Sequence, residues 1–211
     1  MPMNSRIASI LFAAGLSIAL AGGYLVWRHG RGPAPVTPES ALRSVTVVAD
    51  DRPLPAFRLG SPGGAITNES LRGHWTFVFF GYTQCPDACP TSLSLLAQVE
   101  RHLEAGGKPR AAVLFVSVDP RRDSMALLAR YLPAFDPAFV GATGSDAELA
   151  SLAGHLGVYY LRHDETDRQH YVVDHTSAIY LINPQVRLEA VFSEPFDAGR
   201  IAADFLALSR Q

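Results

Sequence analysis

Only two of the 211 residues are cysteines, and both stand in one short stretch, Gly81-Tyr82-Thr83-Gln84-Cys85-Pro86-Asp87-Ala88-Cys89-Pro90. Two thiols cannot build a disulfide framework, so the core must rest on apolar burial and both thiols are free for chemistry. A four-residue step keeps the sulfurs close in a turn-like or helical segment, within the separations a disulfide tolerates. A reversible dithiol/disulfide pair is therefore one chemistry, and metal binding is the other. If Cys89 falls in a first helical turn, the positive end of the helix should lower its pKa and make thiolate, the metal-binding form, available near neutral pH. Asp87, between the cysteines, adds negative charge that favours a cation, and is equally a common turn or cap residue. Two sulfurs rarely complete a metal site, so a third ligand is expected among the seven histidines.

The elements around the cysteines decide which histidine can reach them. Residues 76–80 (TFVFF) are a continuous apolar run rich in aromatic and β-branched side chains, as in a strand buried on both faces. Beyond the cysteines, Cys89, Leu93, Leu96, Val99 and Leu103 recur at three- and four-residue steps and mark one apolar helix face. A second buried strand is expected at 112–118 and helices at 123–132 and 145–156, the latter opened by a Ser145/Glu148 capping box. Such alternation implies parallel strands. Residues 177–182 and 186–192 then flank Asn183-Pro184-Gln185 as a hairpin, and 197–208 closes as an amphipathic helix. A β-α-β half followed by a β-β-α half is the thioredoxin-like α/β arrangement, here with inserted elements.

In that arrangement the cysteine loop lies at the carboxyl end of the first buried strand, where sites gather in open α/β sheets. His74 precedes this strand, roughly 20 Å from its far end. His102 lies thirteen positions along the helix from Cys89, again about 20 Å away. His29 falls in the N-terminal segment, and nothing aims His155, at a helix end, toward the thiols. His175 precedes a strand that should run antiparallel to the one ending at Phe80, and such a strand begins where its parallel neighbours finish. His175 thus comes to the cysteine loop, where thioredoxins carry their cis-proline. His163 and His170, in the preceding connection, are weaker alternatives. Two thiolates and one imidazole form a soft three-coordinate set, which suits Cu(I) and accepts Cu(II), whereas structural zinc asks for a fourth protein ligand.

At the other end of the chain, residues 7–27 contain no Lys, Arg, Asp or Glu, and can cross a bilayer core of about 30 Å as a single N-terminal transmembrane helix. Arg6, Tyr24, Trp27, Arg28 and Arg31 fall where interfacial anchors belong. Ala19-Leu20-Ala21 also permits a cleaved signal peptide, but the apolar run continues past it and favours an uncleaved anchor. The expected organisation is an anchor or signal over 1–29, a Gly/Pro linker over 30–39, and one folded domain over 40–211. The formal charge of −2 comes without a block of like charges, so nucleic acid is not expected as a partner.

The stretches FFGYTQCPDACPTSL, VSVDPRRDS, VGATGS and VVDHTSAIYLINP, in this order and spacing, resemble the SCO/SenC family of cytochrome c oxidase assembly factors from about Phe57 to Leu208. The resemblance implies a membrane-anchored copper chaperone whose domain faces the bacterial periplasm or the mitochondrial intermembrane space. It implies copper ligation by Cys85, Cys89 and His175, and delivery to the binuclear copper centre of oxidase subunit II. Other copper chaperones or thiol reductants would be further partners. Gln84 stands where many members have histidine, and Ser124 where threonine is usual. Asp119, Arg122 and Asp123 match a recurrent stretch that reads as a structural charged loop and is assigned no chemistry. The rival functions are a metal-independent thiol-disulfide oxidoreductase, whose usual C-x-x-C is one residue shorter and needs no imidazole, and a peroxiredoxin-like peroxidase, whose characteristic proline is missing here.

Overall fold

The computed structural model describes residues 45–48, 52–107, 110–163 and 170–210. The apolar span 7–27, the linker 30–39 and His29 lie outside these residues. Among the described residues no helix is long and apolar enough to cross a membrane.

In chain order the elements are β1 (Val45–Val47), β2 (Arg58–Leu59), β3 (Ile66–Thr67), α1 (Asn68–Leu71), β4 (Thr76–Gly81), α2 (Ala88–Ala105), β5 (Ala112–Ser117), α3 (Met125–Tyr131), β6 (Val140–Ala142), α4 (Asp146–Leu156), β7 (Tyr160–Arg162), β8 (Val173–His175), β9 (Ile179–Ile182), β10 (Leu188–Phe192) and α5 (Ala198–Leu208). The main sheet has the order β1-β10-β9-β4-β5-β6. β4, β5 and β6 run parallel, while β9 lies antiparallel to β4 with Phe79 opposite Ile179. β2-β3 and β7-β8 form separate two-stranded ribbons.

β4 occupies the centre because every one of its residues is buried. Alternation places Phe77 and Phe79 on one face and Val78 and Phe80 on the other, so both faces must be covered. Phe77 packs on Phe205 of α5, Phe79 on Phe115 of β5, and Phe80 on Tyr180 of β9. The Ser145/Glu148 box is present in reciprocal form, and α4 ends on Gly157 at φ 69°, the left-handed cap that glycine adopts without penalty. Asp197 caps α5 by accepting the Arg200 N–H at 2.8 Å.

Three boundaries differ from expectation, the first two for local polar reasons. α3 begins at Met125 rather than at 123, because Ser124 takes the capping role and Asp123 turns into the interior. β10 begins at Leu188 because Asn183 Oδ1 accepts the N–H groups of Gln185 and Arg187, closing a turn through Val186. The strand expected from 177 starts at Ile179 as β9, and His175, expected just ahead of it, ends an unexpected short strand β8 that pairs with β7, Tyr160 opposite His175.

Candidate metal centre

The loop after β4 is built from a tight turn and a proline-marked helix start. The Cys85 N–H donates to the Tyr82 carbonyl at 3.3 Å, and α2 opens at Ala88, which makes Cys89 its second residue. Pro90 follows in the first turn, where its missing N–H leaves no intrahelical bond unmade. Asp87 occupies the cap position, but its side chain makes no bond to a helix N–H and accepts only the Thr91 hydroxyl at 3.4 Å. The sulfur of Cys85 takes that place, accepting the Cys89 N–H at 3.3 Å.

Cys89 is buried and Cys85 half-buried, and both are free thiols. The Cys89 sulfur lies so close to the end of β4 that a Cβ added at Gly81 would sit 2.6 Å from it and 3.0 Å from the Phe115 ring. Glycine is required here for close approach rather than for its torsion angles. Burial is also the largest influence on the thiol: it pushes the Cys89 pKa far upward. The lowered pKa expected from the helix end is therefore overturned. Two physical causes act together, since the sulfur is withdrawn from water and the helix-terminal N–H points at Cys85 instead. In the metal-free protein Cys89 is a protonated thiol, and a metal must displace its proton to bind.

His175 Nε2 lies 3.3 Å from Cys89 Sγ. Its ring is held edge-on by Phe79 and Tyr82, with centroids 6.1 and 5.9 Å away. Nδ1 faces the Thr176 carbonyl at 3.2 Å, which assigns the ring proton to Nδ1 and leaves the Nε2 lone pair toward the sulfurs. Burial lowers the His175 pKa, so the ring stays neutral. Among the described residues Cys85, Cys89 and His175 form the one group of three ligating side chains, their ligand atoms all within 4.8 Å of one another. This donor set fits a soft monovalent cation: two sulfurs, one imidazole nitrogen, and no carboxylate.

The remaining described histidines stay apart from the group. His74 and His102 are exposed, His155 lies on α4, and His170 is exposed ahead of β8. His163 Nε2 lies 2.8 Å from Asp174 Oδ2, and both side chains are exposed.

The DPRRDS loop, to which the sequence reading assigned no chemistry, turns out to carry the cysteine loop. Asp123 is fully buried; it accepts the Thr83 N–H at 2.8 Å, the Thr83 hydroxyl at 2.6 Å and the Ser117 hydroxyl at 2.6 Å. Arg122 donates through Nε to Asp119, through Nη1 to the Tyr171 carbonyl at 2.9 Å, and to Gln84 Oε1 at 3.3 Å. The only sequence signal for this was a run with four ionisable residues, Asp119, Arg121, Arg122 and Asp123, directly after a buried strand. Their partners on the cysteine loop and ahead of β8 lie 38 to 52 positions away in the chain.

The profile of the SCO1/SenC family matches residues 50–209. The bovine mitochondrial protein SCO2 homolog is 37% identical over 196 residues, covering 92% of this chain and 70% of its own length. The human protein of that name is 39% identical over 163 residues, 77% of this chain and 58% of its own. Among solved structures, Arabidopsis thaliana ScoI with copper bound aligns at TM-score 0.70 and 31% identity, over 76% of this chain and 99% of that one. Bradyrhizobium japonicum ScoI with copper bound aligns at TM-score 0.65 and 37% identity, over 75% and 99%. These likenesses span the thioredoxin-like α/β fold that brings the two cysteines and the histidine together, and by them the chain belongs to the SCO1/SenC family.

Proposed function

We propose that this protein is a copper chaperone that holds its cargo between Cys85, Cys89 and His175 and delivers it to the binuclear copper centre of cytochrome c oxidase subunit II. The observation that carries the reading is the convergence of three soft ligand atoms within 4.8 Å, one of them a neutral imidazole nitrogen whose tautomer is already set. Copper in the solved relatives from Arabidopsis and Bradyrhizobium supports the choice of metal. Ligation by both sulfurs as thiolates sets two negative charges against the one positive charge of Cu(I), so loading releases thiol protons and leaves the filled site with a net charge of −1. Half-burial of Cys85 beside fully buried Cys89 suits hand-over: an incoming ligand can attack the metal from the Cys85 side while Cys89 and His175 still hold it.

In this reading residues 1–29 anchor the chain in the bacterial inner membrane, or in the mitochondrial inner membrane. Residues 30–39 are the spacer, and the domain over 40–211 faces the periplasm or the intermembrane space. The full chain is expected to take up one Cu(I) under anaerobic competition with a chromogenic chelator. Cys85→Ala, Cys89→Ala and His175→Ala should each weaken it by at least about tenfold. A second reading, thiol-disulfide exchange with the cysteines of subunit II, is favoured by one contact, the Cys89 N–H on the Cys85 sulfur, which keeps the two thiols adjacent. His175→Ala separates the two functions. Unchanged copper affinity in that variant, with thiol exchange intact, would move the assignment to the oxidoreductase.

A further inference from the structure

His175 reaches the cysteines from a ribbon outside the main sheet, so something other than the sheet ladder must hold it there. Among the described residues β8 pairs only with β7, and the connection to β9 is three residues long. The tie on the other side is a buried ionic cluster. Asp119 is fully buried and the Arg122 side chain is 8% exposed. One oxygen of Asp119 takes Arg122 Nε at 2.5 Å and the other takes the Tyr171 hydroxyl at 2.5 Å. The Arg122 guanidinium stacks 3.6 Å over the Tyr171 ring and stands 5.5 Å from the Tyr82 ring. Its Nη1 donates to the Tyr171 carbonyl and to Gln84 Oε1, while Nη2 is buried with no hydrogen-bond partner among the described residues.

A single planar group therefore bonds to the residue before Cys85 and to the carbonyl four residues before His175. Burying such a pair costs desolvation that well-packed apolar side chains would avoid. Stability alone is a poor reason for it. Geometry is a better one: a guanidinium presents donors in a fixed fork, so it sets the distance and angle between the segments it joins, which a lysine ammonium at a single point could not do.

We infer that Arg122, locked by Asp119 and Tyr171, is a positioning residue that sets His175 against the cysteine loop and thereby tunes the metal affinity of the site. The inference rests on the copper reading above and concerns a residue that touches no ligand atom itself. Groups that orient ligands from behind typically contribute 10- to 100-fold in metal affinity. Arg122→Gln is expected to weaken Cu(I) binding to the full chain by about that factor.

A double-mutant cycle with His175→Ala distinguishes positioning from general damage. If Arg122 acts through His175, Arg122→Gln should change affinity less than about threefold once the imidazole is gone. In the metal-free protein, the ¹⁵N shift of His175 Nδ1, which reports its bond to the Thr176 carbonyl, should move in Arg122→Gln. Tyr171→Phe keeps the ring stack but removes the bond to Asp119, and should weaken binding in the same direction; it serves if Arg122→Gln fails to fold. Equal losses in both backgrounds of the cycle, or none in either, would overturn the inference while leaving the copper reading intact. Failure of the unmodified chain to bind Cu(I) would overturn both.

Discussion

Gly81→Ala is a one-carbon perturbation aimed at the seat of the Cys89 sulfur. The added Cβ would lie 2.6 Å from Cys89 Sγ, 3.0 Å from Phe115 Cε2 and 3.3 Å from Phe79 Cε1, and all three side chains are fully buried. Ordinary contact begins near 3.4 Å, so the sulfur must retreat by about 0.8 Å or the end of β4 must shift by as much. A metal site tolerates only ~0.2 Å in its ligand distances. Overpacking of this kind costs about 1–3 kcal/mol. Borne by the metal-bound geometry, that cost corresponds at 1.4 kcal/mol per factor of ten to a fall in Cu(I) affinity of about 5- to 140-fold, and borne by the metal-free fold it lowers the denaturation midpoint. The assays are anaerobic chelator competition and urea unfolding of the metal-free full chain, with Gly154→Ala as control. Gly154 lies within α4 with nothing within 4 Å of its added Cβ, so that change should stabilise by about 0.5–1 kcal/mol and leave copper binding alone. If Gly81→Ala matches the unmodified protein in both measurements, the account of how the sulfur is seated is wrong.

Asp123→Ala strips three donors of their acceptor beneath the cysteine loop and should destabilise the protein by about 2–4 kcal/mol in urea unfolding; an effect below about 0.5 kcal/mol would show the loop to be held otherwise. Arg110→Ala leaves Glu100, 1% exposed, without its cation, although Arg110 itself is 38% exposed. A loss of about 1–3 kcal/mol is expected, partly recovered by Glu100→Gln, because burial already raises the Glu100 pKa. Alkaline titration tests the buried thiol. Cys89 is raised in the folded state, so the unfolded chain, whose thiol titrates near ~8.5, releases its proton first. Stability is then fully present below that pH and falls above it by up to about 1.4 kcal/mol per pH unit. Tyr180, pushed up to about 12 by burial, adds a loss of the same sign above about 10. In the metal-free reduced protein Cys89→Ala should flatten the decline between about pH 8.5 and 10, and an unchanged slope would contradict the burial argument.

The strands and helices that frame the site were readable because each has a strong local signature. TFVFF carries the signature of a strand covered on both faces, and the three- and four-residue steps after Cys89 describe one helix face. The short pieces were not readable: β2, β3, β7 and β8 are two or three residues long and owe their existence to pairing rather than to their own composition. The same holds for the inward turn of Asp123, whose partners Thr83 and Ser117 belong to other elements.

From composition and spacing alone came the ligand types, the two cysteines in one loop and the histidine most able to meet them, because residue chemistry and element order are local properties. The protonation of Cys89, the tautomer of His175 and the Arg122 tie between their segments were decided only in three dimensions. Each depends on which groups are removed from water and which donors face them, and the chain settles those questions only when distant segments close on one another.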